Sequence, residues 1–364
     1  MEGKISELQK EQIEKSEYPV VGAKYNNEYK NLDEVVSSDG KIELIDINSK
    51  EGIKIYRRTL TYIMGKAFWH TYPEAHVIVN YQLSNAMYCD IENMEVTDEM
   101  IEKVKAKMQE IINQDLKIEK KVMTRDEAEK FYKETNSPKG RLQFDLEDRQ
   151  NINMYYCDEY YNYIYEIIAT HTGATKVFDL QKYSKGFLLR YPSTKNVNEL
   201  PEFHETKKLL WALQEYETIY KVLNVGTVYR LNKAIKENTI KYLILLSEAL
   251  HEKKISQMAD KIAERKGVKM VLIAGPSSSG KTTFAQRLGI QLKINGLKPV
   301  TISVDNYFVE REDTPRNEKG EYDFESIDAI DIDLFNKHLL ALLNGEEVEM
   351  PEFDFHEGTK KYNG

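Results

Sequence analysis

The stretch from Gly275 to Thr282 constrains this chain more than any other feature of its sequence. It reads Gly-Pro-Ser-Ser-Ser-Gly-Lys-Thr and fits the pattern G-x-x-x-x-G-K-[ST] at every fixed position. An apolar stretch, Met270–Ala274, precedes it, and an amphipathic helical pattern follows it. Glycines let successive backbone N–H groups turn toward one anion, and a helix N-terminus adds positive potential. This context favours a phosphate-binding loop between a strand and a helix over an ordinary Gly/Ser turn.

The pattern gives most side chains of the loop a role in binding a triphosphate. Lys281 is long enough to reach the β- and γ-phosphates of ATP, and the Thr282 hydroxyl can bind the accompanying Mg²⁺. ATP and Mg²⁺ are therefore the expected bound groups, and Lys281 is also expected to act in catalysis. The residues expected to hold the nucleotide are Gly275, Ser277, Ser278, Ser279, Gly280, Lys281, Thr282 and Thr283.

A carboxylate follows the next predicted strand, Pro299–Val304. In an open parallel sheet, ligands lie beyond the carboxyl ends of the strands, so Asp305 is expected to face the phosphates. A carboxylate there can accept the proton of an attacking hydroxyl or hold Mg²⁺ through water. The alternative is an aspartate that only caps a loop.

Four segments of the last third of the chain, GPSSSGKTTFAQRL, DNYF, EYDFESIDAIDIDLF and MPEFDF, resemble the uridine kinase and phosphoribulokinase superfamily, in its uridine kinase branch. The resemblance implies that Asp305 is the general base for a ribose 5'-hydroxyl and that Asp328 holds the ribose hydroxyls. It also implies that Phe353 and Phe355 stack on the base, with Tyr307 on the substrate side. The alternative for the two phenylalanines is a pair of core residues on one strand face.

The chain departs from that family at the base-binding segment. Gly358 stands where the family has a histidine, His356 directly follows Phe355, and Lys360 stands where the family has an arginine. The family also continues beyond this point, with further strands and a lid that carries arginines. The sequence therefore predicts only the N-terminal part of such a domain, with an incomplete parallel sheet. We expect this chain to bind nucleotide weakly and not to turn over a nucleoside by itself.

The middle of the chain, roughly residues 18–190, resembles a second family. YRRTLTYIMGKAFWHTYPEA, TRDEAEKFY and VFDLQKYSKG are similar to the accessory editing-type domain of threonyl- and alanyl-tRNA synthetases, and VVGAKYNNEYKNLDE is similar to the small β-grasp domain before it. The family's metal-capable pairs fall on Arg58 and Tyr62, and on Gln181 and Lys185. The resemblance therefore implies an editing fold without editing chemistry and without a zinc site.

The expected fold class is α/β, an α+β synthetase-like domain followed by an incomplete P-loop domain. Boundaries are expected at 1–50, 51–235, 236–266 (a helical connector) and 267–364. Strands are predicted within residues 18–25 and 41–47, and helices from Thr97, after Thr124 and over 240–266, with a sheet covered by helices on one face. A helix is also predicted through Tyr160, Tyr163, Ile164 and Ile167. Tyrosines 155, 156, 160, 161, 163 and 165 are expected to pack on helix faces, with stacking on nucleic acid as the alternative.

Composition limits the remaining function classes. The net charge is −9 and there are two cysteines, so bulk nucleic-acid binding is disfavoured and a cytoplasmic, reducing compartment is expected. No apolar run is long enough to cross a membrane. The expected reaction is phosphorylation of a nucleoside 5'-hydroxyl, with an oligomer allowed. The alternatives are a related kinase for a sugar phosphate or pantothenate, and a nucleotide-regulated protein that binds RNA or a partner.

Overall fold

The computed structural model describes residues 2–134 and 150–362, which form two compact units. The first unit covers Met1–Asn238 and the second covers Thr239–Gly364. Within the described residues, no helix combines the length and the apolar character needed to cross a bilayer. The finer boundaries at residues 50, 235 and 266 stay predictions.

The first unit begins with short strands and two short helices. Their bounds are β1 Glu2–Lys4, α1 Ile5–Leu8, α2 Lys10–Glu14, β2 Val20–Tyr25, β3 Glu28–Lys30, β4 Val35–Ser37 and β5 Ile42–Asp46. Strands β3, β2 and β5 form one antiparallel sheet in that order, and β1 pairs with β4. The two strands predicted here are confirmed as β2 and β5. Val21 and Ile45 are buried in the same cluster as Ile55, so this segment shares a core with the residues that follow it.

Helices and antiparallel strands alternate through the middle of the unit. Their bounds are α3 Lys50–Thr71, β6 Val77–Leu83, β7 Ala86–Ile91, α4 Asp98–Asn113, β8 Glu119–Thr124, α5 Arg125–Glu134, β9 Asn151–Cys157, β10 Tyr160–Tyr163, β11 Asp179–Tyr183 and β12 Gly186–Arg190. The predicted cap of α4 is confirmed, because the Thr97 hydroxyl accepts a hydrogen bond from the Met100 N–H. The predicted capping box before α5 is also confirmed, because Glu127 and Thr124 each accept from the other's backbone N–H.

The largest core lies between two helices and a four-stranded sheet with the order β11-β12-β7-β6. Helices α3 and α4 cover one face of this sheet, where Phe68 packs on Phe187 with ring centroids 5.7 Å apart. The other face carries Tyr88 and Leu188, and Leu210 packs on it. The expectation of helices on one face is therefore wrong for this sheet, because Leu210 belongs to a later helix that covers the opposite face.

The helix predicted through Tyr160 and Tyr163 is wrong, because these residues form strand β10. Asp158 and Glu159 both have positive φ, 44° and 64°, which makes a tight turn between β9 and β10. Tyr160 then pairs with Cys157 in an antiparallel ladder, and the sheet is completed by β8 in the order β10-β9-β8. The tyrosines at 155, 156, 160, 161 and 163 consequently lie on strands and not on helix faces.

Helices dominate the chain after β12. Their bounds are α6 Lys207–Val222, α7 Val228–Lys236, α8 Ile240–Glu264, α9 Lys281–Ile294 and α10 Ile332–Leu343. Leu210, the residue that covers the outer sheet face, lies on α6. In the second unit, α8 and α9 pack through a small cluster that includes Ile255, Ala259, Leu288 and Leu292. The helix predicted over residues 240–266 is confirmed as α8.

The predicted parallel sheet is not formed by the described residues. Residues 270–274 and 299–304 lie outside regular strands, and Leu272 and Val300 are exposed. A strand exists only through hydrogen bonds to a neighbouring strand, and the described residues of the second unit contain one ladder alone. That ladder is the antiparallel hairpin of β13 Pro351–Asp354 and β14 Thr359–Tyr362.

Candidate active site

The phosphate-loop residues curl around the side chain of Lys281. Its Nζ donates hydrogen bonds to the carbonyl oxygens of Gly275 and Pro276, both at 2.9 Å. Gly280 is the N-cap residue of α9, and Lys281 is the first residue of that helix. The loop therefore ends where a helix N-terminus begins, as the sequence predicts.

The loop is tightly curled, and exposed backbone donors follow it. A Cβ on Gly275 would lie 2.8 Å from the Ser279 hydroxyl oxygen, so a larger residue would crowd the inside of the curl. The first-turn N–H groups of α9, from Lys281 to Thr283, have no carbonyl four residues earlier in the helix to bond. The loop residues from Gly275 to Gly280 are exposed, so a ligand can reach these donors.

Asp305 lies in a short 3-10 helix, Val304–Tyr307, and not directly after a strand. Its side chain is exposed, and among residues 2–134 and 150–362 no group forms a hydrogen bond or ion pair with its carboxylate. A carboxylate in this state is able to accept a proton from a hydroxyl group that approaches it. Its role as a general base stays a prediction.

Tyr307 is buried, whereas the sequence predicted it on the substrate side. Its side chain is 0% exposed, and its hydroxyl forms a hydrogen bond with His338 Nδ1 at 3.1 Å and lies 3.5 Å from Met350 Sδ. The ring also packs edge-on against Phe335. Burial raises the pKa of the Tyr307 hydroxyl. In this arrangement Tyr307 supports the turn that carries Asp305.

The two phenylalanines expected to face the base contact each other and Phe308. The centroids of Phe353 and Phe355 are 5.2 Å apart, and Phe308 lies 5.5 Å from the first and 6.0 Å from the second. Phe353 belongs to β13 and is 6% exposed, whereas Phe355 follows the strand and is 59% exposed. Phe353 therefore packs as a core residue would, and Phe355 offers an accessible ring for stacking.

Asp328 lies in a second 3-10 turn, Ile327–Ala329, with its side chain exposed. This turn is held beside the Asp305 segment, because the Val309 N–H donates to the carbonyl oxygen of Ala329 at 2.9 Å. The structure thus brings the Asp328 turn and the phenylalanine hairpin to the segment that follows Asp305. Among the described residues, no hydrogen bond, ion pair or ring contact joins these groups to the loop at 275–283, so their convergence on one site stays a prediction.

Three residues near this cluster were not singled out from the sequence. Phe308 forms its centre, Phe324 packs edge-on against Phe308 at 5.8 Å, and Arg311 bonds the β13–β14 turn. Phe308 directly follows Tyr307 in the DNYF segment, so the motif could have identified it as a residue of this cluster. The contacts of Arg311 have no signal in the sequence, because its partners lie more than forty residues away.

Two of the four positions aligned with the synthetase metal ligands carry side chains that bond other parts of the protein. Arg58 forms an ion pair with Glu166 at 2.6 Å and donates to the carbonyl oxygen of Ile167. The buried Tyr62 hydroxyl donates to backbone carbonyls of β9 and β10. Gln181 and Lys185 are exposed on the β11–β12 hairpin. Within residues 2–134 and 150–362, no group of three or more His, Cys, Asp or Glu side chains could hold a metal ion.

Residues 270–363 match the model of the Phosphoribulokinase / Uridine kinase family. This match covers the phosphate loop, Asp305 and the β13–β14 hairpin. It supports a P-loop kinase-like phosphotransferase region, of a type that generally uses ATP and Mg²⁺.

The N-terminal region is similar to threonine–tRNA ligases. The ligase of Fusobacterium nucleatum is 27% identical over 164 residues, which is 44% of this chain and 26% of the ligase. That of Clostridioides difficile is 29% identical over 232 residues, 63% of this chain and 32% of the ligase. That of Clostridium tetani is 33% identical over 137 residues, 37% of this chain and 21% of the ligase. The chain thus spans a third or less of the length of each of these relatives, and it joins a ligase-like region to a kinase-like one.

Proposed function

We propose that this protein transfers the γ-phosphoryl group of ATP to the 5'-hydroxyl of a nucleoside. The observation that carries the proposal is the curled loop at 275–280, with Lys281 Nζ on its inner carbonyl oxygens and the N-terminus of α9 directly after it. This arrangement presents a cation and several backbone donors to one anion, which is what a nucleotide triphosphate requires. The match of residues 270–363 to a kinase family supports the same reaction class.

Two residues, Lys281 and Thr282, act at the phosphate end of the site. Lys281 exchanges its loop carbonyls for phosphate oxygens when nucleotide binds, so its charge offsets theirs. The Thr282 hydroxyl, at the second position of α9, is the residue that would hold Mg²⁺. Mg²⁺, when bound, supplies charge neutralisation and orients the phosphates for in-line attack.

On the acceptor side, Asp305 takes the proton of the attacking hydroxyl, whose oxygen forms the new bond to the γ-phosphorus while the bond from that phosphorus to the β–γ bridging oxygen breaks and ADP leaves. Asp328 binds hydroxyl groups of the sugar, because its exposed carboxylate accepts hydrogen bonds. The exposed ring of Phe355, backed by Phe308 and Phe353, offers an aromatic face to a base. A nucleoside meets all three requirements, whereas a sugar phosphate leaves the aromatic face without a partner.

A screen of acceptors tests this proposal. The full-length protein is incubated with ATP, Mg²⁺ and, one at a time, ribonucleosides, pantothenate and sugar phosphates, and ³¹P NMR identifies the product. We expect a nucleoside 5'-monophosphate. If only a sugar phosphate is phosphorylated, the protein is a kinase for that acceptor and the nucleoside assignment is wrong. ATP binding without consumption of any acceptor would favour a nucleotide-regulated binding protein.

A further inference from the structure

Arg311 joins two segments of the candidate acceptor site. It lies in the 3-10 turn Arg311–Asp313, six residues after Asp305 in the chain. Its guanidinium donates from Nη2 to the carbonyl oxygen of Phe355 at 2.5 Å and from Nη1 to that of His356 at 3.2 Å. Its backbone N–H donates to the carbonyl oxygen of Gly358 at 2.9 Å. Arg311 therefore bonds three of the four residues that connect β13 to β14.

The absence of a side chain at Gly358 leaves room for Arg311. Its φ is +76°, and a Cβ built on it would lie 2.7 Å from both Cβ and Nε of Arg311. Any side chain at 358 would therefore meet strain from the backbone and a collision with Arg311. Gly358 is also the position where the sequence departs from the histidine of the resembled family. The structure supplies a physical reason for that departure, because Arg311 occupies the space.

Lys360 strengthens the same link from the other side of the hairpin. Its backbone N–H donates to Glu310 Oε1 at 3.3 Å, and its Nζ forms a close ion pair with Asp331 Oδ2. The Asp331 N–H in turn donates to the carbonyl oxygen of Tyr307 at 2.7 Å. The Lys360 hydrogen bond lowers the pKa of Asp331, which keeps the pair charged. Lys360 is therefore bonded to the Asp305 side of the site.

We propose that Arg311, in the room left by Gly358 and with Lys360 beside it, is a positioning residue that fixes the Phe355 ring relative to Asp305. This rests on the proposed nucleoside kinase function. Arg311 suits the task because its planar fork bonds two carbonyl oxygens at once, which a lysine ammonium does not match. Loss of the fork frees the hairpin turn and the ring on it. The cost falls on acceptor binding, because within the described part of the chain no hydrogen bond or ion pair joins Arg311 to the phosphate loop.

The test compares Arg311→Met, Arg311→Lys and the matched control Arg316→Met in the full-length protein. Arg316 also lies in the second unit and bonds a turn carbonyl, that of Gly320, but it does not contact the hairpin. For Arg311→Met we expect the acceptor KM to rise about tenfold, the usual effect of losing hydrogen bonds from a charged group. We expect kcat and the ATP KM to stay within about twofold. Arg311→Lys should fall between, and Arg316→Met should match the wild type.

A second measurement tests the coupling to Gly358. Gly358→Ala should raise the acceptor KM in the wild-type background by more than in the Arg311→Gly background, because glycine at 311 has neither the Cβ nor the Nε that the added methyl group would meet. An unchanged acceptor KM in Arg311→Met, or equal losses in acceptor and ATP affinity, would overturn the inference while leaving the kinase function in place. A wild-type protein that phosphorylates no nucleoside would remove both.

Discussion

Lys281 Nζ lies 2.9 Å from the carbonyl oxygen of Gly275, six residues before it in the chain. The lysine therefore holds its own loop in a curled shape. We expect Lys281→Ala to weaken nucleotide binding about 10- to 100-fold, because charge-assisted hydrogen bonds contribute roughly 1.5–3 kcal/mol each. Isothermal titration with the non-hydrolysable analogue of ATP and Mg²⁺ measures the change.

Lys293→Ala is the matched control for that variant. Lys293 is exposed in the last turn of the same helix, α9, and lies away from the loop. It should bind the analogue as the wild type does. Equal affinity of Lys281→Ala and Lys293→Ala would show that the loop does not hold the triphosphate.

The synthetase-like region is expected to bind no zinc. Arg58 is paired with Glu166, and the Tyr62 hydroxyl is bonded to strands β9 and β10, so two of the four aligned ligand positions already have protein partners. Elemental analysis of the purified protein should find well below one zinc per chain. Stoichiometric zinc that disappears on replacing side chains of this region would contradict the prediction.

Lys66 is expected to stabilise the first unit. It is 1% exposed, and its Nζ donates to the carbonyl oxygens of Cys157 and Asp158 at the turn between β9 and β10. Lys66→Ala removes both hydrogen bonds from a buried position, so we expect the free energy of unfolding to fall by about 2–4 kcal/mol. Lys54→Ala, on an exposed position of the same helix, should change it by less than about 0.5 kcal/mol. Equal denaturation midpoints for the two variants would contradict this role.

The Asp354 carboxylate is expected to titrate unusually low. A hydrogen bond from Lys361, with backbone donors at Glu357 and His356, lowers the pKa of Asp354 from 3.8 to about 2. Because the pKa in the folded state is depressed, these contacts stabilise the hairpin above pH 3.8 and are lost as the pH falls through about 2. Carboxyl ¹³C NMR should give a midpoint near 2, which Lys361→Met raises. A wild-type midpoint near 3.8 would contradict the prediction.

The sequence predicted the elements whose signals are local. The caps at Thr97 and Thr124, the helix α8 and the loop before α9 follow from residues within a few positions of each other. Tyr160 and Tyr163 misled the interpretation because their spacing fits a helix, whereas the left-handed residues at 158 and 159 turn the chain into a hairpin. The tight turn that pairs two strands determines the local structure here, although the spacing of the side chains also fits a helix.

Long-range contacts could not be predicted in this way. The strands expected at 270–274 and 299–304 depend on neighbours that the described residues do not supply, so apolar composition alone was not sufficient. The hydrogen bond between Arg311 and Phe355 joins residues 44 positions apart, and no local sequence pattern in either segment predicts it. Motifs therefore supported a hypothesis about the chemistry of the candidate site, whereas the contacts between its segments were visible only in the fold.

Asp305 separates an enzyme from a nucleotide-regulated binding protein most directly, because a switch has no need of an acceptor base. The decisive measurement is nucleoside-dependent turnover by Asp305→Asn in the full-length protein, with the affinity for ATP measured on the same preparation. We expect turnover to fall by about two to four orders of magnitude, the usual loss for a general base, while ATP affinity changes little. Near-normal turnover, or a parallel loss of ATP binding, would contradict the assignment of Asp305 as the base.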